Sequence, residues 1–183
     1  TAVLVMLCLW HAAMGSFMLL GISTRPAAFM GCLAGILTVF HILLGCRYWL
    51  RTLRHKQCLW YGRANFLFWL RRLSGMAVLL LFFFHWQVFG SMQGTHYILY
   101  EFTTFKLVVP LLFVSTLFLH IGLNIRPLLL ALGMQHIAVH TRDIYSILLV
   151  FYLFITGSLL YYYAGWQYIK IKNSKSLMQD WPV

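Results

Sequence analysis

Long apolar runs that are almost free of charge constrain this chain more than any other feature. Residues 1–22 contain no Lys, Arg, Asp or Glu, and four further runs of similar length follow along the 183 residues. About 20 apolar residues suffice for a helix to cross the ~30 Å hydrocarbon layer of a bilayer. With 62% hydrophobic and 9% charged residues, a soluble domain of this size could not hide its apolar surface. The sequence therefore predicts an all-α integral membrane protein with five transmembrane helices.

The predicted spans are residues 1–22, 27–50, 71–92, 105–132 and 144–169, which form one transmembrane domain over residues 1–183. The segment from Arg47 to Arg72 carries seven basic residues and no acid. Basic loops mark the cytoplasmic side of a membrane protein, so we expect the loop at 51–65 and the amino terminus inside, and the carboxyl terminus outside. Because Thr1 is not an initiator Met, we also expect a segment to precede it.

A net charge of +11 follows mainly from basic residues at the predicted helix ends, which favours lipid headgroups or an acidic partner over nucleic acid. The four cysteines form no C-x-x-C pair and no C-x-x-C-H motif. Covalent attachment of a c-type haem is therefore excluded, and a cysteine metal site is not expected.

Four histidines fall inside apolar spans, one in each of the first four helices: His11, His41, His85 and His120. An imidazole in hydrocarbon is costly unless it has a partner, so an intramembrane histidine is a candidate functional residue. The alternative for each one is an interhelical hydrogen bond. Four histidines distributed one per helix favour a shared function.

Depth in the membrane groups these histidines into two layers. At ~1.5 Å per residue, His11 and His85 lie roughly 12–16 Å from the outer ends of their helices. His41 and His120 lie roughly 9–15 Å from the inner ends of theirs. Bis-histidine ligation of a haem iron requires one such pair from two facing helices, so two layers predict two b-type haems.

Two arginines repeat the same relation to their histidines. Arg47 follows His41 by six residues, and Arg126 follows His120 by six. Both lie about 9 Å nearer the predicted cytoplasmic side, where they could meet the propionates of an inner haem. The alternative is that both side chains reach lipid headgroups.

Two motifs resemble those of the membrane anchor of succinate dehydrogenases and fumarate reductases. Leu70-Arg71-Arg72-Leu73-Ser74-Gly75, ahead of His85, is similar to the family's Arg-x-Ser-Gly segment. The stretch from His120 to Arg126 is similar to its His-x3-Gly-Ile-Arg segment, with Asn124 in place of Gly. One ligand in each of the first four of five helices resembles the single-chain branch with two haems.

The resemblance implies that His11 pairs with His85 on the outer haem iron, and His41 with His120 on the inner one. It also implies a quinone substrate (menaquinone or ubiquinone) and an enzyme that is a quinol:fumarate reductase or succinate:quinone oxidoreductase. An iron–sulfur subunit and an FAD flavoprotein would carry out the dicarboxylate chemistry. We expect such a complex in the cytoplasmic membrane of a prokaryote, with a dimer of the whole complex as a further expectation.

Polar residues near the two layers are candidates for the remaining roles. Arg72 and Ser74 are candidates for the inner haem or an inner quinone, and Trp86 and Gln87 for an outer quinone. Glu101 is the candidate acceptor of quinol protons, with His96 as its competitor. Some relatives of this branch place a glutamate two residues before the fourth ligand for a transmembrane proton path. Phe118 stands there, which argues against that path.

Two other functions remain open from the sequence. One is the cytochrome b subunit of a formate dehydrogenase or hydrogenase, which also uses intramembrane histidines. The other is a haem-free transporter whose histidines relay protons. The histidine spacing excludes the cytochrome b of quinol–cytochrome c oxidoreductases, which places two histidines on each of two helices.

Overall fold

The computed structural model of the chain describes residues 1–23, 28–54, 65–93, 96–134 and 137–179. These residues form five α-helices and one β-hairpin: α1 (Ala2–Leu19), α2 (Ala28–Arg54), α3 (Phe66–Val88), β1 (Gly90–Gln93), β2 (His96–Leu99), α4 (Thr104–Ala131) and α5 (Ile137–Gln179). All five helices are long and apolar enough to cross a membrane. The protein is therefore an all-α integral membrane bundle.

Two helices end in the same way, at a glycine with a left-handed backbone. Gly21 follows α1 with φ 74°, and Gly133 follows α4 with φ 76°. After α1, the amide of Gly21 donates to the carbonyl of Met18 and that of Ile22 to the carbonyl of Phe17. This pattern satisfies the last carbonyls of a helix and needs a residue without a Cβ at the turning point.

Helix α3 is displaced from the predicted span at 71–92, because it begins at Phe66 and ends at Val88. The first two turns of α3 therefore include Arg71 and Arg72, which the prediction placed at the start of the span. Arg71 donates from Nε to the carbonyl of Leu123 on α4 at 2.9 Å. The end comes early because the chain turns into an antiparallel hairpin, in which Gly90 pairs with Leu99.

Helix α5 extends beyond the predicted span at 144–169. It has 43 residues and is about 64 Å long. Hydropathy identifies only the part of a helix that is apolar enough to lie in lipid. Helix α5 continues beyond that part at both ends, through polar segments that contain no Pro. The bounds of α1, α2 and α4 differ from the predicted ones by one to four residues, a normal uncertainty at helix ends.

The most extensive packing joins the helices in the order α2–α1–α5–α4–α3. Helix α5 packs on both α1 and α4, and so connects the hairpin α1/α2 to the hairpin α3/α4. Most buried apolar side chains lie on α4 and α5, where Leu159 and Pro110 are fully buried. The core thus lies along α4 and α5, and α4 also carries His120, one of the four intramembrane histidines.

Candidate functional site

The structure brings the four intramembrane histidines together as two pairs. The rings of His11 and His85 have centroids 6.3 Å apart, and those of His41 and His120 have centroids 6.4 Å apart. The ring planes are steeply inclined in both pairs, by 79° and 71°. Each pair joins one helix of the hairpin α1/α2 to one helix of the hairpin α3/α4.

The separation of the rings distinguishes between a direct hydrogen bond and a shared metal ion. A nitrogen–nitrogen hydrogen bond of about 2.9 Å, with about 1.1 Å from each nitrogen to its ring centre, gives centroids about 5.1 Å apart. Two metal–nitrogen bonds of about 2 Å give about 6.2 Å for imidazoles on opposite sides of one ion. The observed distances fit the second arrangement, so both pairs are spaced as axial ligands would be.

Ser74 on α3 sets the chemistry of the inner pair. Its Oγ lies 3.0 Å from Nδ1 of His120 and 3.0 Å from the carbonyl oxygen of Arg71. A hydroxyl has one hydrogen, and the carbonyl can only accept. Both contacts are hydrogen bonds only if Ser74 donates to Arg71 and His120 donates from Nδ1 to Ser74. The lone pair of His120 is then on Nε2, the atom that a metal would take.

Two glycines leave space for the rings of His11 and His120 against the neighbouring helices. A Cβ on Gly31 of α2 would lie 2.9 Å from Cε1 of His11, and one on Gly75 of α3 would lie 3.1 Å from Cε1 of His120. Real Cβ atoms essentially never approach to less than 3.0 Å, so a side chain at Gly31 would displace the ring of His11. A contact of 3.1 Å is tighter than nine in ten real ones, so a side chain at Gly75 would require the ring of His120 to shift by a few tenths of an ångström. Each hairpin therefore holds one of its histidines against the bare backbone of the neighbouring helix.

Neither glycine was predicted from the sequence, although the spacing between each glycine and the histidine on the same helix could have indicated them. Gly31 precedes His41 by ten residues, and Gly75 precedes His85 by ten. Helices α2 and α3 thus each carry a glycine at one layer and a histidine at the other. Ten residues rise about 15 Å along a helix, which is the spacing of the two layers.

In the outer pair, His85 is held by aromatic contacts. The ring of His85 stacks on Phe113 of α4, with centroids 4.7 Å apart and planes inclined by 26°. Phe89 lies on its edge at 5.2 Å. Nδ1 of His85 is buried and has no hydrogen-bond partner within the described part of the chain. The inner and outer pairs therefore share a spacing but differ in what surrounds them.

The arginines of the predicted site fall into two groups. Arg47 and Arg126 are exposed, so their contact with haem propionates stays a prediction. Arg71 and Arg72 are half-buried on α3, one turn or less from Ser74. The guanidinium of Arg72 lies 3.2 Å from the ring centroid of Phe68 and donates to the Phe68 carbonyl. Of the four, only the α3 arginines lie within three residues of Ser74, whose hydroxyl contacts His120 of the inner pair.

At the predicted outer face, Glu101 forms an ion pair with Lys170 of α5. The hydrogen bond and charge of Lys170 lower the pKa of the Glu101 carboxyl below its ordinary value. A carboxylate with a lowered pKa is a weaker base, which works against a role in accepting quinol protons. The side chains of Trp86, Gln87 and His96 lie outside the described residues, so their predicted roles stay predictions.

Phe118 packs on Tyr152 of α5, with ring centroids 5.6 Å apart. It belongs to the interface between α4 and α5 and not to either histidine pair. Within the described residues, no three His, Cys, Asp or Glu side chains come together as a multi-ligand metal site requires. A haem iron needs only two ligands from the protein, which is the number of histidines in each pair.

Comparison with known protein families, with curated proteins and with solved structures finds no match to this chain. Its function must therefore be argued from the two histidine pairs and the helices that hold them.

Proposed function

We propose that this chain is the membrane-anchor cytochrome b, with two haems, of a succinate dehydrogenase or fumarate reductase. It would pass electrons one at a time between a membrane quinone and a docked iron–sulfur subunit. The observation that supports this best is the ring spacing of 6.3 and 6.4 Å, repeated at two depths in one bundle. An interhelical hydrogen bond, the main alternative for each histidine, would bring the rings closer.

The chain's own residues would hold the two groups and exclude water from them. His11 with His85 would hold one haem, and His41 with His120 would hold the other. When bound, the haems would supply the one-electron carriers, and the protein would supply ligands, dielectric and spacing.

Basic side chains on the predicted cytoplasmic side support docking of a soluble partner. Arg51 and Arg54 lie in the last turn of α2, and both are exposed together with Arg47 one turn earlier. No acid lies among them in the sequence. A surface of this charge attracts an acidic partner as well as anionic lipid. The partners proposed are an iron–sulfur subunit and an FAD flavoprotein, whose dicarboxylate reaction defines the complex.

The purified complex in mild detergent tests this proposal. We expect two non-covalent b-type haems per copy of the chain in a pyridine haemochrome assay, and copurifying iron–sulfur and flavin subunits by mass spectrometry. One haem or none would contradict the dihaem assignment, and none would favour the proton-relay transporter. Two haems with molybdenum or nickel subunits would instead indicate a formate dehydrogenase or hydrogenase.

A further inference from the structure

Ser74 occupies a position that the proposed function does not account for. It is 5% exposed, and its hydroxyl is committed to two groups of the chain itself, the Arg71 carbonyl and Nδ1 of His120. Because its one hydrogen is already donated to the Arg71 carbonyl, the Ser74 hydroxyl is not free to donate to a quinone or a propionate. Its effect on the site therefore passes through His120.

From this geometry, and resting on the proposed function, we infer that Ser74 and Gly75 are positioning residues that set the ring, the tautomer and the donor strength of His120. Gly75 lets the ring lie against the α3 backbone, and Ser74 holds the proton on Nδ1. A histidine that donates from its second nitrogen is a more basic ligand, because the bond pulls the N–H hydrogen toward the acceptor. A more basic ligand favours ferric over ferrous iron.

The outer pair provides the contrast that makes this inference specific. His85 has no hydrogen-bond partner on Nδ1 within the described residues, and its ring is surrounded by Phe113 and Phe89. Its donor strength is therefore not raised by a group comparable to Ser74. Ser74 lies on α3, the helix that carries His85 of the outer pair, yet its hydroxyl contacts His120 of the inner pair.

The consequence is that removal of the Ser74 hydroxyl should raise the midpoint potential of the inner haem. Outer-shell partners of metal-bound histidines typically change metal affinity by roughly 10–100-fold. If losing the Ser74 hydroxyl costs ferric iron about tenfold in relative affinity, the one-electron potential rises by about 59 mV. Only the inner haem, bound by His41 and His120, should shift.

The experiment is a redox titration of the full purified complex, followed by absorption at the haem bands. The titration should show one reduction step, or wave, for each haem. The His41→Ala variant, which should keep only the outer haem, identifies which wave belongs to which haem. In Ser74→Ala we expect two bound haems, an inner wave raised by about 59 mV and an outer wave unchanged. Ser74→Thr retains a hydroxyl and should restore the inner wave to its original potential.

Ser158 supplies a matched control, because it is also buried and bonds only to the Phe154 carbonyl on its own helix α5. Ser158→Ala should leave both waves in place. An inner wave that stays unchanged in Ser74→Ala, or shifts equally in Ser158→Ala, would overturn the inference while leaving two haems and the proposed function intact. If Ser74→Ala loses the inner haem, its return at the original potential in Ser74→Thr supports the inference, and its absence there overturns it.

Discussion

The inner and outer histidine pairs have nearly the same ring spacing but are built by different means. The inner pair depends on a directional hydrogen bond, from His120 to Ser74, on a half-buried helix face beside two arginines. In the outer pair, His85 depends on aromatic packing against Phe113. A hydrogen bond fixes a tautomer and raises ligand basicity, whereas stacking fixes only orientation. His120 and His85 therefore lie in electronically different surroundings, and so would the two proposed haems.

The largest expected effect tests whether the two pairs are independent units. His11→Ala and His85→Ala should each remove the same haem, and His41→Ala and His120→Ala the other, because each iron loses one of its two axial ligands. The haem content should fall from two to one per chain in a pyridine haemochrome assay. Difference spectra that grouped His11 with His41 would contradict both the pairing and the depth argument.

The next effect concerns the glycines that make room for the rings. Gly31→Ala should weaken the outer haem and Gly75→Ala the inner one, each by roughly tenfold in affinity, since the displaced ring no longer points at the iron. Haem binding curves of the apoprotein would measure this loss.

Gly35 on α2 provides the control, because a Cβ there would meet Phe82 at an ordinary 3.9 Å. Gly35→Ala should bind both haems as the unmodified chain does. Equal losses in Gly31→Ala and Gly35→Ala would show that the effect comes from helix packing and not from His11.

A smaller effect separates stacking from ligation in the outer pair. Phe113→Leu removes the ring stacked on His85 and should cost the outer haem about 0.5–1.5 kcal/mol of binding free energy, the usual value of an aromatic pair. Thermal release of the outer haem should occur at lower temperature, with the inner haem unaffected. Phe105→Leu, on the same helix at a side chain 67% exposed, should change neither haem.

The smallest effect concerns Glu101 at the outer face. Its lowered pKa makes it a poor base, so Glu101→Gln should retain most of the quinol turnover, measured with both haems bound. Abolished turnover would identify Glu101 as the proton acceptor, and near-normal turnover would make His96→Ala the next variant.

The same ion pair has a pH dependence with a defined sign. Because the folded pKa of Glu101 lies below its ordinary 4.5, the contribution of the pair to stability is present above that value. It is lost as the pH falls through the folded pKa. Thermal unfolding of the Glu101→Gln variant should therefore differ only slightly from that of the unmodified chain, with the full difference above about pH 4.5 and none once the pH is below the folded pKa.

The sequence was sufficient to predict the five helices and the four histidines because both depend on quantities that add along a chain. Hydropathy over 20 residues identifies a span, and counting residues from its ends was enough to group the histidines into two levels, although α3 ends at Val88, only three residues after His85, and not at 92 as predicted. Helix rotation cannot be counted in this way. Whether Ser74 faces α4 or lipid depends on how α3 turns against its neighbours, and only packing decides that.

The same limitation explains the missed glycines and the displaced ends of two helices. In the sequence Gly31 is an ordinary small residue of a helix, and only the structure shows the ring of His11 packed against it. The end of α3 at Val88 depends on the hairpin pairing of Gly90 with Leu99, which local hydropathy does not record. The pairing of Glu101 with Lys170 likewise joins residues far apart in sequence, through the extension of α5 beyond its apolar part.

The ten-residue spacing between glycine and histidine on α2 and α3 also has a consequence for energy conversion. It separates the two layers by about 15 Å along the helices, roughly half of the ~30 Å hydrocarbon thickness. Moving one charge across a whole membrane at 100 mV involves about 2.3 kcal/mol, so an electron passing between the layers would exchange about 1.2 kcal/mol with the field. With a negative interior, this would shift the electron toward the outer layer by about sevenfold, and make the redox balance of the two haems sensitive to voltage.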